Sequence, residues 1–193
     1  MNVGAGVPAW VEDSRDPRLE AVSITVVDPI RPDPIGVLQP RASLGALTVE
    51  EALERSLEID DYAWGSVAVQ VDAIDDWTVL VEPNGWVTSY ADTLTRLSEG
   101  GRAANVFWNV NANMSFGWAV DGRLIRQFDP LLYDADGAIP EEAGLPFGHP
   151  GRPRGAALAL LTRLTGVVID QSWLLDRARP TFVVPLAGWG GAP

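Results

Sequence analysis

The sequence predicts an α+β fold, a mainly antiparallel sheet of about four to six strands with helices packed on one face. Three observations carry that expectation. Strand-like runs at residues 66–71 and 77–82 follow one another with only a short acidic turn between them. Asp121-Gly122 stands between two apolar runs, the signal of a tight antiparallel hairpin because both turn residues need positive φ. Helix-like segments fall before, within and after the strands instead of alternating with them, which argues against a doubly wound parallel sheet.

Each element has its own signal. Residues 1–20 mix Gly, Pro and charge around Trp10 and predict an irregular arm ahead of a single domain at 21–185. Residues 21–27 are short and β-branched, a strand. Four prolines, Pro29, Pro32, Pro34 and Pro40, make 28–40 a surface connection, since proline neither donates to a ladder nor continues a helix. Thr48 and Glu51 have capping-box spacing, so a helix starts there, with Val49, Ala52, Leu53, Ser56 and Leu57 on its narrow apolar stripe. Pro83-Asn84-Gly85 ends the second of the paired strands. Ser89 and Asp92 predict a capped start for a helix carrying Tyr90, Leu94 and Leu97, which Gly100-Gly101 stops.

Residues 105–120 then read as one long strand, the centre of the chain. Side chains alternate faces on a strand. Phe107, Asn109, Asn111, Asn113 and Ser115 would share one face, and Val106, Trp108, Val110, Ala112, Met114 and Phe116 the other. In the hairpin that follows, Val120 would face Arg123 and Trp118 would face Ile125. Residues 129–153 are rich in turn formers and hold His149, the single histidine. An alanine- and leucine-rich helix at 155–165 ends at Gly166, Asp170 N-caps a last short helix, and 181–184 adds an edge strand before a tail at 186–193.

Composition narrows the function classes. A net charge of −12 with no basic stripe makes nucleic acid and anionic membranes poor partners. There is no cysteine, which removes disulfides, thiolate catalysis and thiolate-bound metals and suits a reducing cytoplasm. The N-terminus lacks the basic start and apolar run of a signal peptide, and no window approaches a membrane span.

Several blocks, read in order, resemble a known family. They are WTVLVEPNGW at 77–86, FWNVNA at 107–112, Asp121-Gly122, FDP at 128–130, LPFG at 145–148 and LTGV at 164–167. Together they are similar to an uncharacterised domain-of-unknown-function family abundant in actinobacteria, over about residues 77–185. The resemblance implies a bacterial cytoplasmic protein and no transferable activity.

The candidate site residues follow from residue type and position. The amides of Asn109, Asn111 and Asn113 offer donors and acceptors to a ligand, or else to neighbouring strands. Trp86 and Trp108 could add a stacking surface. Glu82, beside Asn84, and Asp129, beside Pro130, end two strands and could split acid and base roles if close together, with Asp121 as a substitute. Glu82 could equally pair with Arg123 or Arg126. Among titratable groups His149 has no nucleophile pattern beside it. No metal-ligand cluster and no phosphate loop appears, so no metal and no cofactor is expected. The sequence therefore favours a non-catalytic module that engages a protein or peptide, with an immunity, inhibitor or regulatory role. Its alternative is a small-molecule site or enzyme using Glu82 and Asp129 beside an asparagine-lined pocket.

Overall fold

Eight strands form one sheet in the order β2-β8-β3-β4-β1-β5-β6-β7, and every neighbouring pair is antiparallel. The computed structural model describes residues 6–13, 15–29, 33–58 and 65–186. The strands are β1 Val22–Val27, β2 Ala42–Leu47, β3 Ser66–Ile74, β4 Trp77–Pro83, β5 Arg102–Trp108, β6 Met114–Val120, β7 Arg123–Phe128 and β8 Arg179–Pro185. Among the described residues six helices accompany them: α1 Trp10–Asp13, α2 Pro34–Val37, α3 Val49–Glu58, α4 Ala91–Leu97, α5 Pro153–Thr165 and α6 Gln171–Asp176. Among the described residues, no helix is long and apolar enough to cross a membrane.

The expected fold class, four to six strands with helices on one face, is therefore corrected. The sheet is larger, the helices are mostly short, and both faces are covered. β1 shows why, because its side chains alternate between two cores. Val22, Ile24 and Val26 pack with Val11 of α1, Val49 of α3, Leu158 and Leu161 of α5 and Leu174 of α6. Val27, on the opposite face, packs with Val37 of α2 and with Leu94 and Leu97 of α4. A strand buried on both sides reads as a continuous apolar run, which hides how many faces are covered.

Two misread segments account for the extra strands. Ala42–Leu47 has few β-branched residues and four exposed positions, so nothing marked it as β2. With β2 at the edge, β8 lies between β2 and β3 and is not the edge strand expected of 181–184. The supposed long strand at 105–120 is two strands, because the chain turns back at Asn109. The connection at 28–40 also contains α2, which Asp33 caps by accepting from Gly36 N at 2.9 Å.

Other expectations hold in detail. Thr48 and Glu51 form the capping box, with Glu51 Oε2 accepting from Thr48 N at 2.8 Å and Thr48 Oγ1 from Glu51 N at 3.3 Å. Ala52 is buried on the inner stripe, while the side chains of Ser56 and Leu57 lie outside the described residues. Asp170 caps α6 by accepting from Trp173 N at 2.7 Å. Val120 pairs with Arg123 across the Asp121-Gly122 turn, where φ is 49° and 73°. The next pairing differs: a bulge sets Trp118 against Arg126, so Ile125 is the extra residue. Ser89 does not cap α4; its hydroxyl donates to Trp86 O at 2.7 Å within a short 3-10 turn at Val87–Ser89.

Candidate functional site

The block at 82–90 builds a tightly constrained turn. β4 delivers Glu82 at its end, Pro83 closes the strand, and Asn84 takes a left-handed φ of 54°. Gly85 follows where a side chain has no room, since a Cβ there would lie 2.8 Å from Glu82 Cβ and 2.9 Å from Glu82 Oε2. The chain thereby folds back over the carboxylate. Glu82 Oε2 accepts from Val87 N at 2.7 Å, and Oε1 accepts from Thr88 N at 2.9 Å and from the Thr88 hydroxyl.

Glu82 has no solvent exposure. Burial pushes its pKa above the ordinary glutamate value, against the donations from Thr88, Val87 and Ser23, which pull it down. Behind it stands a polar network on the same face of the sheet. The Thr25 hydroxyl donates to Thr88 Oγ1 at 2.7 Å, Ser23 Oγ lies 3.1 Å from Thr88 Oγ1, and Asn105 Nδ2 donates to Ser23 Oγ and Thr25 Oγ1, each at 2.8 Å. Asn105 Oδ1 is buried and has no hydrogen-bond partner among the described residues. Ser23, Thr25, Thr88 and Asn105 are all fully buried.

Above this network Trp86 is 38% exposed, and its indole Nε1 donates to Tyr90 Oη at 2.7 Å. The edge strand comes alongside: Gln127 Nε2 of β7 donates to Ser89 O at 3.2 Å. Further along β7 the bulge turns Leu124 and Ile125 outward, 39% and 49% exposed, next to exposed Arg123. Four of the sequence candidates, Glu82, Asn84, Trp86 and Arg123, thus belong to the β4 turn and the β7 edge.

The remaining candidates lie elsewhere. Asn109, Asn111 and Asn113 are not a ladder on a strand but the tip of the β5–β6 hairpin, where Ala112 takes a φ of 59°. Asn109 Oδ1 accepts from Asn111 N at 3.0 Å and Asn113 N at 3.1 Å, so that side chain shapes its own turn. Trp108 is fully buried, with Nε1 donating to Leu19 O at 2.7 Å. Asp129 Oδ1 accepts from Leu131 N at 2.8 Å and Leu132 N at 3.3 Å, the turn-starting role of an Asp before Pro. Asp121 is exposed in its hairpin turn, and His149 is exposed in its loop.

Glu82 and Asp129 stand on strands four spacings apart in the sheet. Glu82 pairs with Ser23, Ser23 with Phe107 and Phe107 with Ser115, whose neighbour Phe116 pairs with Phe128. Those four strand-to-strand steps, at about 4.8 Å each, put the backbones of Glu82 and Phe128 about 19 Å apart along the sheet. Among the described residues Glu82 has no arginine partner. Arg126 pairs instead with Glu142, Nε to Oε1 at 2.8 Å, and also donates to Asp134 O and Asp136 O.

Ser23, Thr25, Thr88 and Asn105 were passed over in reading the sequence, although a signal existed. Ser23 and Thr25 place polar groups at alternate positions in an otherwise apolar strand, and Asn105 interrupts the apolar start of another. The amides at 109–113 are more conspicuous but lie in the turn.

The comparisons bear on this region as a whole. The chain belongs to a family of unknown function, DUF6461. The family's sequence model matches residues 3–186, which extends the likeness well N-terminal of the blocks at 77–185. Comparison with curated proteins and with solved structures gives no match.

Proposed function

We propose that this member of DUF6461 is a non-catalytic binding module for a protein or peptide, with the Trp86 turn as its anchor. One observation carries the reading: a glutamate without solvent exposure is spent on fixing the turn that presents an exposed tryptophan. Burying a carboxylate is costly unless it is well bonded, and packing alone supplies no reason for one under a surface turn. A tryptophan already held in one orientation loses little freedom on binding. Such aromatic anchors carry much of the energy of protein interfaces.

Leu124 and Ile125 are further exposed apolar side chains on the β7 edge, beside exposed Arg123, while Gln127 of the same strand touches the turn itself. The setting we propose is an actinobacterial cytoplasm, from the sequence blocks and the cysteine-free composition, with an immunity, inhibitor or regulatory role beside a partner gene.

The test is a photoreactive amino acid introduced at position 86, 125 or 168 of the full chain, irradiated in native cells. Val168 is 60% exposed and lies away from the turn, so it serves as the control. The same protein crosslinked from 86 and 125 but not from 168, and competed by excess unlabelled chain, supports the reading. Absence of a specific adduct at 86 rejects it.

A further inference from the structure

We propose that a second site, a cleft beside the β5–β6 hairpin tip, binds a small organic anion: a carboxylate or phosphate ester on an apolar body. The cleft is open to solvent, has a volume of about 440 Å³ and is lined by Arg15, Asp16, Leu19, Glu20, Val110 and Arg154. That volume lies within the range of small-ligand sites, about 300–1,000 Å³. It is independent of the Trp86 turn, because Leu19 belongs to the core under α5 and Val87 to the core on the opposite face.

The charges that line the cleft do not cancel. Asp16 is committed to Arg18, which reaches one oxygen through Nε at 2.9 Å and the other through Nη2 at 2.6 Å. Glu12, on the adjoining α1, accepts from Gly155 N at 2.9 Å. Arg15 and Arg154 have no ion-pair partner among the described residues, and Glu20 is the one lining carboxylate not already engaged. The uncommitted charge is thus two guanidiniums against one carboxylate, in a chain whose net charge is −12. A local positive spot on an acidic surface concentrates small anions where the rest of the molecule repels them.

The geometry suits an organic anion more than a bare one. Arg154 lies over the Trp108 ring, 5.7 Å from its centroid, which steadies the side chain without consuming its N–H donors. A guanidinium fork matches the paired oxygens of a carboxylate or phosphate. Val110, 64% exposed, is the apolar side chain of the lining that a ligand body would meet, Leu19 being buried.

The experiment is isothermal titration of the full chain with phenylacetate, phenyl phosphate and, as the neutral isostere, phenylacetamide. Saturable binding of either anion, with phenylacetamide at least about tenfold weaker, is the expected result, since a hydrogen bond to a charged group is worth more than a neutral one. Which of the two anions binds more tightly separates carboxylate from phosphate-ester ligands. Arg15→Gln and Arg154→Gln should each lower the affinity by about tenfold at an unchanged melting temperature, and Glu20→Gln should raise it. Arg15 is exposed, so its variant remains informative if Arg154→Gln perturbs the packing on Trp108. Equal affinity for phenylacetamide, no binding of either anion at millimolar concentration, or full retention of affinity in Arg15→Gln overturns the proposal.

Discussion

Replacing Glu82 by Gln tests whether the buried carboxylate holds the turn. The amide keeps one carbonyl oxygen and puts an NH2 group in place of the other. If the carbonyl keeps the two donations from Thr88, the NH2 faces Val87 N, which now sits 2.7 Å from an acceptor that no longer exists. One backbone N–H and one amide N–H are then left without partners in a site that water does not reach. At about 1–3 kcal/mol for each of the two orphaned groups, the loss is about 2–6 kcal/mol below pH 4.5, where the Glu82 contribution is fully present. For a chain of this size, at about 2–4 °C per kcal/mol, that lowers the melting temperature by about 4–24 °C, read by near-ultraviolet circular dichroism. A melting temperature within about 2 °C of the parent refutes the reasoning.

The pH dependence adds a second constraint from the same residue. Burial raises the folded-state pKa of Glu82 above the unfolded value of 4.5, so the native state binds the proton more tightly than the unfolded chain. The Glu82 contribution is fully present below pH 4.5 and is lost as pH rises through the folded pKa. The difference in stability between parent and Glu82→Gln should change over that window and flatten above it. A difference that stays constant with pH contradicts the assignment.

Three further outcomes follow from other sites. Arg126→Met should cost about 3–5 kcal/mol, because it strands Glu142, whose carboxylate is 1% exposed, without its cation; denaturant midpoints measure it. Burial pushes the pKa of Glu142 up, but donations from Arg126, Ile139 N and Tyr133 prevail and hold it below 4.5. Its contribution is present above that pH and lost as pH falls through the folded value, the opposite sign to Glu82, and pH-dependent melts of the parent and Arg126→Met compare the two. Asn109→Ala should cost about 1 kcal/mol for two lost donations and speed amide exchange at Asn111 and Asn113, whereas Asn111→Ala, exposed and bonded through its backbone N, should stay within about 0.5 kcal/mol.

Local signals in this sequence proved more legible than the layers they build. The capping box at Thr48, the N-cap at Asp170 and the Asp121-Gly122 turn depend on nearest neighbours, so residue type alone marks them. The number of strands depends on β2, whose Ala, Ser and Gly residues carry almost no β signal and which is held to β8 from the far end of the chain. The face reading at 105–120 failed for a different reason. Its alternation was real as a pattern, but Asn109 can bond to backbone amides two and four residues ahead, and a side chain able to do that competes with the strand. The candidate site was half legible: Glu82 and Trp86 stand in a conspicuous block, while their supports Ser23, Thr25 and Asn105 arrive through strand pairing that register alone reveals.

The central claim is that Trp86 is a preorganised anchor for a partner and not merely part of the fold. The most direct measurement takes Trp86→Ala and records two quantities on the same preparation, the melting temperature and the affinity for the protein crosslinked from positions 86 and 125. The melting temperature should fall by no more than about 4 °C, since the indole is partly exposed. The affinity should fall by about thirtyfold or more, the mark of a hot-spot residue. An affinity equal to that of the parent contradicts the claim.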